Sequence, residues 1–159
     1  MIKKKIRTLF IIILSLVLFS CGFKPVSHEN KEQIYIQKIK ITGNQRQSFI
    51  LKNNILLISN ESAKNRYEAN IKLTKKKSIK IKDKTGKITR YNVSFSGALE
   101  LINLNNGRKF NSSFERNRDY DVASIHSDTK NNEKNTNEKI IEQISDDIIK
   151  FVMISKKQK

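Results

Sequence analysis

Apolar and polar residues alternate along most of the chain between Tyr67 and Tyr120, the period-2 pattern of strands with one buried face. Tyr67, Ala69, Ile71 and Leu73 share a face, and Ile79 and Ile81 resume the same phase beyond Lys75 and Lys77. Lys84-Thr85-Gly86-Lys87 reads as a turn, after which Tyr91, Val93, Phe95, Gly97, Leu99 and Leu101 alternate with Asn92, Ser94 and Ser96. Asn105-Asn106-Gly107 is a hairpin signal, because Asn and Gly tolerate the positive φ of tight turns. Phe110, Ser112 and Phe114 then open a return strand toward Tyr120. Upstream, Ile34 to Thr42 is β-branched and alternating, with a phase slip between Ile36 and Ile39 that a bulge accounts for.

Two stretches switch to helical spacing. Phe49 to Ile58 carries Leu51, Ile55 and Ile58 on one side, with Ser48 as the expected N-cap and Asn60 as the stop. Glu138 to Ile154 is more regular, with Ile141, Ile144, Ile148 and Val152 forming the stripe and Ile140, Ile149 and Phe151 widening it. The polar run Ser124 to Asn137 before it reads either as a loop or as the first turns of that helix. The order is β-α-β-β-β-α. Residues 34–155 therefore predict one α+β domain, a two-layer sandwich with a four-stranded, mostly antiparallel sheet covered by two helices. Because Lys75 and Lys77 interrupt the inward register, apolar contact is expected to end near Leu73, with the hairpin projecting beyond it.

The N-terminus has a different pattern. Lys3, Lys4, Lys5 and Arg7 precede an apolar run from Leu9 to Phe19, followed by Ser20-Cys21-Gly22. A basic region, a short apolar region and a small residue at the cut make a secretion signal. Leu18, Ser20 and Cys21 occupy lipobox positions, although Phe19 is bulkier than the residue usual there. The run from Ile6 to Phe19 is shorter than the ~20 residues of a bilayer crossing. Residues 1–20 thus read as a lipoprotein signal peptide, Cys21 as the lipid-attachment site, 21–33 as a tether carrying Pro25, and 156–159 as a basic tail. Cys21 is the single cysteine, which excludes an intramolecular disulfide and a cysteine-rich zinc site.

Formal net charge is +17. Four of the 32 basic residues and none of the 15 acidic ones lie in the leader, so the chain from Cys21 keeps a large positive excess. Such an excess points to an anionic partner. Heavy use of Lys, Asn and Ile, with no Trp and one Pro, also matches AT-rich codon usage. Export excludes nucleic acid as the partner. No nucleophile elbow, phosphate-cradling glycine loop, cofactor motif or metal-ligand spacing is found, so no enzyme is expected. One ligand-grade feature remains. Lys72, Lys75, Lys76, Lys77, Lys80, Lys82, Lys84, Lys87 and Arg90 face a single acid, Asp83, on one hairpin.

These features together resemble the LPS-assembly lipoprotein (LptE) family. The resemblance rests on Cys21-Gly22-Phe23 with Pro25 behind it, the element order, Thr89-Arg90-Tyr91-Asn92-Val93 after a glycine turn, Tyr120-Asp121-Val122, and Ile141 to Ile148. It implies a non-enzymatic outer-membrane lipoprotein, on the periplasmic face, that plugs and helps assemble an LptD-type β-barrel and binds lipopolysaccharide. Gly22, in place of the Asp that retains enteric lipoproteins at the inner membrane, agrees with outer-membrane delivery. The family's basic residue before the turn glycine falls on Lys84, with Lys82, Lys87 and Arg90 around it. A second basic position leads into the last helix, where Lys130 is nearest, or His126 in a shifted register. All are candidates for lipid A phosphates. The alternative is a structural lipoprotein of another envelope assembly, its basic hairpin on acidic protein or anionic lipid.

Overall fold

The computed structural model describes residues 34–156; Cys21, the tether and the last three residues lie outside them. The elements are β1 (Ile34–Thr42), α1 (Gln45–Leu56), β2 (Asn65–Lys82), β3 (Ile88–Asn103), β4 (Lys109–Asp121) and α2 (His126–Ser155). One sheet is ordered β1-β2-β3-β4. β1 runs parallel to β2, with α1 as the crossover between them, while β2, β3 and β4 form an antiparallel meander. The α+β sandwich and its element order are as the alternation predicts.

The bulge in β1 decides which face its lysines take. Register shifts between Ile36 and Lys38, so Ile34 and Ile36 are buried and Ile39 and Ile41 still pack against the core. Without that extra residue, Lys38 and Lys40 would point inward. On β2 and β3, Tyr67, Ala69, Ile71, Leu73, Val93, Phe95, Leu99 and Leu101 are buried, as are Ile140, Ile141, Ile144, Ile148 and Val152 of α2. The helices run in the same direction: Arg46 pairs with Glu138 at 3.1 Å, and Asn54 Nδ2 donates to Ser145 Oγ at 3.2 Å further along both. α2 lies antiparallel to β4, with Arg116 on Asp147 and Phe114 edge-on to Phe151. No helix among the described residues is long and apolar enough to cross a membrane.

Two expectations are corrected, and one open reading is settled. α1 begins at Gln45 and ends at Leu56, and its N-cap is Asn44, not Ser48. The Ser48 amide already donates to Asn44 O at 2.9 Å, which places Ser48 inside the first turn. Asn60 lies past the helix; its amide donates to Ile34 O and its side chain accepts from Ser62 N. The open reading of Ser124 to Asn137 resolves to helix from His126 onward, so His126 is not in a loop. Finally, the inner face of the hairpin does not end near Leu73. Val93 and Phe95 remain fully buried opposite Lys77 and Lys75.

Gly43 joins β1 to α1 at φ 130°, and a Cβ there would be driven into the Leu73 carbonyl oxygen. Gly107 also has positive φ, at 74°, but a Cβ there would meet open space. Gly43→Ala is therefore expected to cost more than ~2 kcal/mol in chemical denaturation, because backbone must move. Gly107→Ala is expected to cost only the left-handed penalty of about 1 kcal/mol. Equal losses would remove the close approach as the reason for Gly43.

Candidate functional site

Lys72 and Lys76 alternate onto the open face with no carboxylate at ion-pair distance among the described residues, and the other seven basic residues of the hairpin separate into three groups. Lys75 and Lys77 sit on the inner face under the first half of α2. Their ammonium groups contact the two Glu133 carboxylate oxygens at 2.9 and 3.0 Å, and Tyr120 Oη donates to Glu133 Oε2 at 3.1 Å. Lys77 Nζ also lies 4.3 Å from the Tyr91 ring centroid, and Tyr91 stacks on Tyr120 at 5.5 Å. Burial alone would raise the Glu133 carboxyl, but the hydrogen bonds and charges of Lys75 and Lys77 outweigh it and bring it from 4.5 to about 2. For Lys77, burial works to lower the ammonium, yet hydrogen bonding with Tyr120 and Glu133 leaves it raised.

A second group turns to the open face of the sheet. Lys80 pairs with Asp119, and Arg90 Nε donates to Asp121 at 2.6 Å. The hydrogen bond to Asp121, ahead of its charge, holds the Arg90 guanidinium above its ordinary value. Asp119 is held low, first by the Asn92 amide and then by Lys80. Arg90 is thus placed across the sheet from the inner-face group.

The third group stands at the hairpin tip. Lys82, Lys84 and Lys87 are exposed, and no acidic side chain lies within ion-pair distance of their ammonium groups among the described residues. Asp83, the single acid of the block, closes the turn instead. Its Oδ1 accepts from Thr85 Oγ1 at 2.7 Å, Thr85 N at 2.8 Å and Lys87 N at 3.0 Å, an Asx-type turn.

The tip meets the start of α2 across a cleft of about 330 Å³. Lys77, Lys87, His126 and Lys130 line it, with Tyr91, Tyr120, Val122 and Ala123 as its other walls and Glu133 as its only acid. The Thr129 hydroxyl accepts from Ala123 N at 2.9 Å, and Asn132 donates to Asp121 O at 3.1 Å, which fixes the connecting segment against the helix. The N-cap position of α2 is Ile125, which supplies no capping side chain, and Asp128 in the first turn offsets the positive potential of the amides there. A larger trough of about 850 Å³ runs over the open sheet face between β1 and β4. Lys40 and Lys72 line it without an ion pair among the described residues, but it also holds two carboxylates, Glu68 and Glu100, which pair with Lys38 and Lys109.

Of the sequence candidates, Lys87 and Lys130 share the cleft, Lys84 and Lys82 stand at the hairpin tip outside its lining, and Arg90 is held elsewhere by Asp121. Cys21 lies outside the described residues. Lys77, Tyr91, Tyr120 and Glu133 were not foreseen as cleft residues. Their signal was present in Lys75 and Lys77 at inward-facing positions, which demand a buried counter-charge. Among the described residues no three metal-ligating side chains come together.

This architecture is that of a solved lipoprotein. The crystal structure of rare lipoprotein B from Shewanella oneidensis superposes with a TM-score of 0.59 at 11% identity, covering 76% of this chain and 97% of that one. The solution structure of uncharacterized lipoprotein B from Nitrosomonas europaea gives 0.48 at 16% identity, covering 77% and 88%. At such identity the first likeness shows the fold alone. No family model and no curated protein matches the sequence.

The Glu133 shift gives a signed pH prediction. Its carboxyl is depressed on folding, so its contribution is present above about pH 4.5 and lost as pH falls toward 2. Glu133→Gln is expected to cost about 1.5–3 kcal/mol at pH 7, the range for hydrogen bonds to charged groups. The variant should also flatten the decline in stability between pH 4.5 and 2. Parallel stability–pH curves for variant and parent would show that Glu133 is not the titrating group.

Proposed function

We propose that the chain is an outer-membrane lipoprotein, anchored through Cys21, that plugs and helps assemble an LptD-type barrel and binds lipopolysaccharide. The cleft carries this reading. Lys87 from the hairpin and Lys130 from α2, far apart in sequence, line one cavity with Lys77 and His126. Ammonium groups act as point charges suited to phosphate, and lipid A presents phosphates. The tip lysines extend that cationic surface outward on a narrow two-stranded element, a shape suited to entering a barrel lumen. The lipoprotein signal at Cys21 and a fold shared with a protein named rare lipoprotein B support the envelope location.

Binding of lipopolysaccharide to the full-length protein tests the site. Lys84→Glu, Lys87→Glu and Lys130→Glu are each expected to weaken binding roughly two- to fivefold with folding retained, the range for exposed charge pairs. An unchanged affinity removes that residue from the site. The anchor is tested separately: Cys21→Ala should no longer be processed or membrane-bound. Co-purification from outer membranes in mild detergent should recover a large β-barrel, and recovery of a different assembly would favour the structural-lipoprotein alternative.

A further inference from the structure

The two edges of the sheet are finished differently. Along β1 a bulge breaks the ladder after Ile36, and Lys38 and Lys40 follow it. The segment after α1 also covers the first residues, with Ile36 N donating to Ser59 Oγ at 2.9 Å and Asn60 N to Ile34 O at 2.8 Å. Bulges, edge lysines and covering segments keep a strand edge from pairing with another chain. β4 has little of this. From Lys109 to Asp121 it contains no proline and no register shift, and its single lysine is its first residue. No strand lies beyond it in the sheet.

The ladder shows which main-chain groups of β4 are free. Asn103 N donates to Arg108 O at 2.8 Å and Val122 N to Thr89 O at 2.9 Å. Both pairs belong to the β3–β4 register, in which hydrogen-bonded pairs recur at every second residue. The even-numbered residues from Phe110 to Tyr120 therefore bond to β3, and the odd-numbered ones aim their amides and carbonyls away from the sheet. Glu115 O accepts from Arg116 at 3.5 Å and Asp121 O from Asn132 at 3.1 Å. The other outward groups from Asn111 to Asp119 make no hydrogen bond among the described residues. Beside this edge a cavity of about 380 Å³ is walled by Phe114, Phe151 and Ile154, and Ile154 is 58% exposed. In a chain of net charge +17 the strand is also balanced, Lys109, Arg116 and Arg118 against Glu115, Asp119 and Asp121.

We propose that β4 pairs antiparallel with β4 of a second copy of this chain, joining two sheets across a two-fold axis at Phe114. Outward residues must face outward residues, which leaves three registers of longest overlap. Centring on Glu115 sets that carboxylate against its own copy, and centring on Arg116 does the same with two guanidinium groups. Like charges directly opposite are destabilising. Centring on Phe114 opposes no like charges: Lys109 meets Asp119, Ser113 meets Glu115 and Phe110 meets Arg118 of the second copy. Phe114 then lies against its own copy, next to the cavity walled by Phe151 and Ile154. The balanced charge of β4 lets two basic chains approach there, and the pairing is isologous, so it closes at a dimer. The inference is independent of the lipopolysaccharide reading and uses none of its tip lysines.

The test is sedimentation equilibrium of the full-length protein in density-matched detergent, where a monomer–dimer equilibrium is expected. Ser113→Pro should weaken the dimer about tenfold or more, because each copy loses an inter-copy donor and gains a ring on the pairing edge. The melting temperature should stay near the parent's, since the Ser113 amide bonds to nothing within the chain. Phe114→Cys should give disulfide-linked dimers on mild oxidation, above the level of the parent, which carries Cys21. Opposite residues of a non-hydrogen-bonded pair are within disulfide reach. Arg116→Cys should stay at the parent's level. A parent that remains monomeric at high micromolar concentration overturns the proposal, as does a dimer that Ser113→Pro leaves intact. Cross-linking through Arg116→Cys in place of Phe114→Cys overturns the register. If Ser113→Pro fails to fold, the two cysteine variants decide the matter alone.

Discussion

Glu133 is the point on which the upper half of the domain depends. The sheet brings two lysines to its inner face, where a helix must lie, and two cations under a helix are tolerable only with a counter-charge and satisfied hydrogen bonds. Glu133 supplies both oxygens to Lys75 and Lys77 and accepts from Tyr120 as well. That contact explains a second fact. The first turns of α2, from His126 to Asn137, are polar and would gain little from apolar burial, yet they are helical and held over the sheet. The cleft exists because the helix start is fixed there, facing a hairpin whose tip extends past it.

Net charge therefore says little about binding until each lysine is placed. Lys38, Lys80 and Lys109 are paired on the open face, as is Arg90, and such exposed pairs add little stability. They offset part of the positive field of the open face, where Lys40, Lys72 and Lys76 meet no carboxylate at contact distance among the described residues. The bulge in β1 belongs to the same arrangement, since it sends Lys38 and Lys40 outward and keeps Ile39 and Ile41 on the core side. At the tip and cleft, Lys82, Lys84, Lys87 and Lys130 likewise meet no carboxylate at contact distance among the described residues. Chain topology, and not composition, decides which of these ammonium groups line the cleft.

Much of this was legible in order and in turns. The alternation from Tyr67 to Tyr120, the slip after Ile36 and the Asn105-Asn106-Gly107 turn are local patterns whose backbone consequences are local too, and all appear where expected. The start of α1 was misread because Gln45, Arg46 and Gln47 carry no apolar periodicity, and Ser48 looks like a cap to any reader who cannot see Asn44 O accept its amide. The hairpin's inner face was misread because a lysine at an inward position normally ends a core. Its acceptor, Glu133, lies on the last helix and is invisible to spacing. The parallel placement of β1 beside β2 likewise follows from the α1 crossover and not from either strand's pattern.

The sequence by itself determined the element order, the buried face of each strand and the basic character of one hairpin, because periodicity and short motifs act over a few residues. Only the tertiary structure decided which of nine basic residues on that hairpin remain available. Whether a lysine is free depends on a carboxylate brought from elsewhere in the chain: Glu133 for Lys75 and Lys77, Asp119 for Lys80, Asp121 for Arg90. It also decided that Lys87 and Lys130 face one cavity, since packing α2 antiparallel to β4 carries the helix start to the hairpin's inner side. Long-range pairing of charge is set by how layers stack, and no local pattern encodes it.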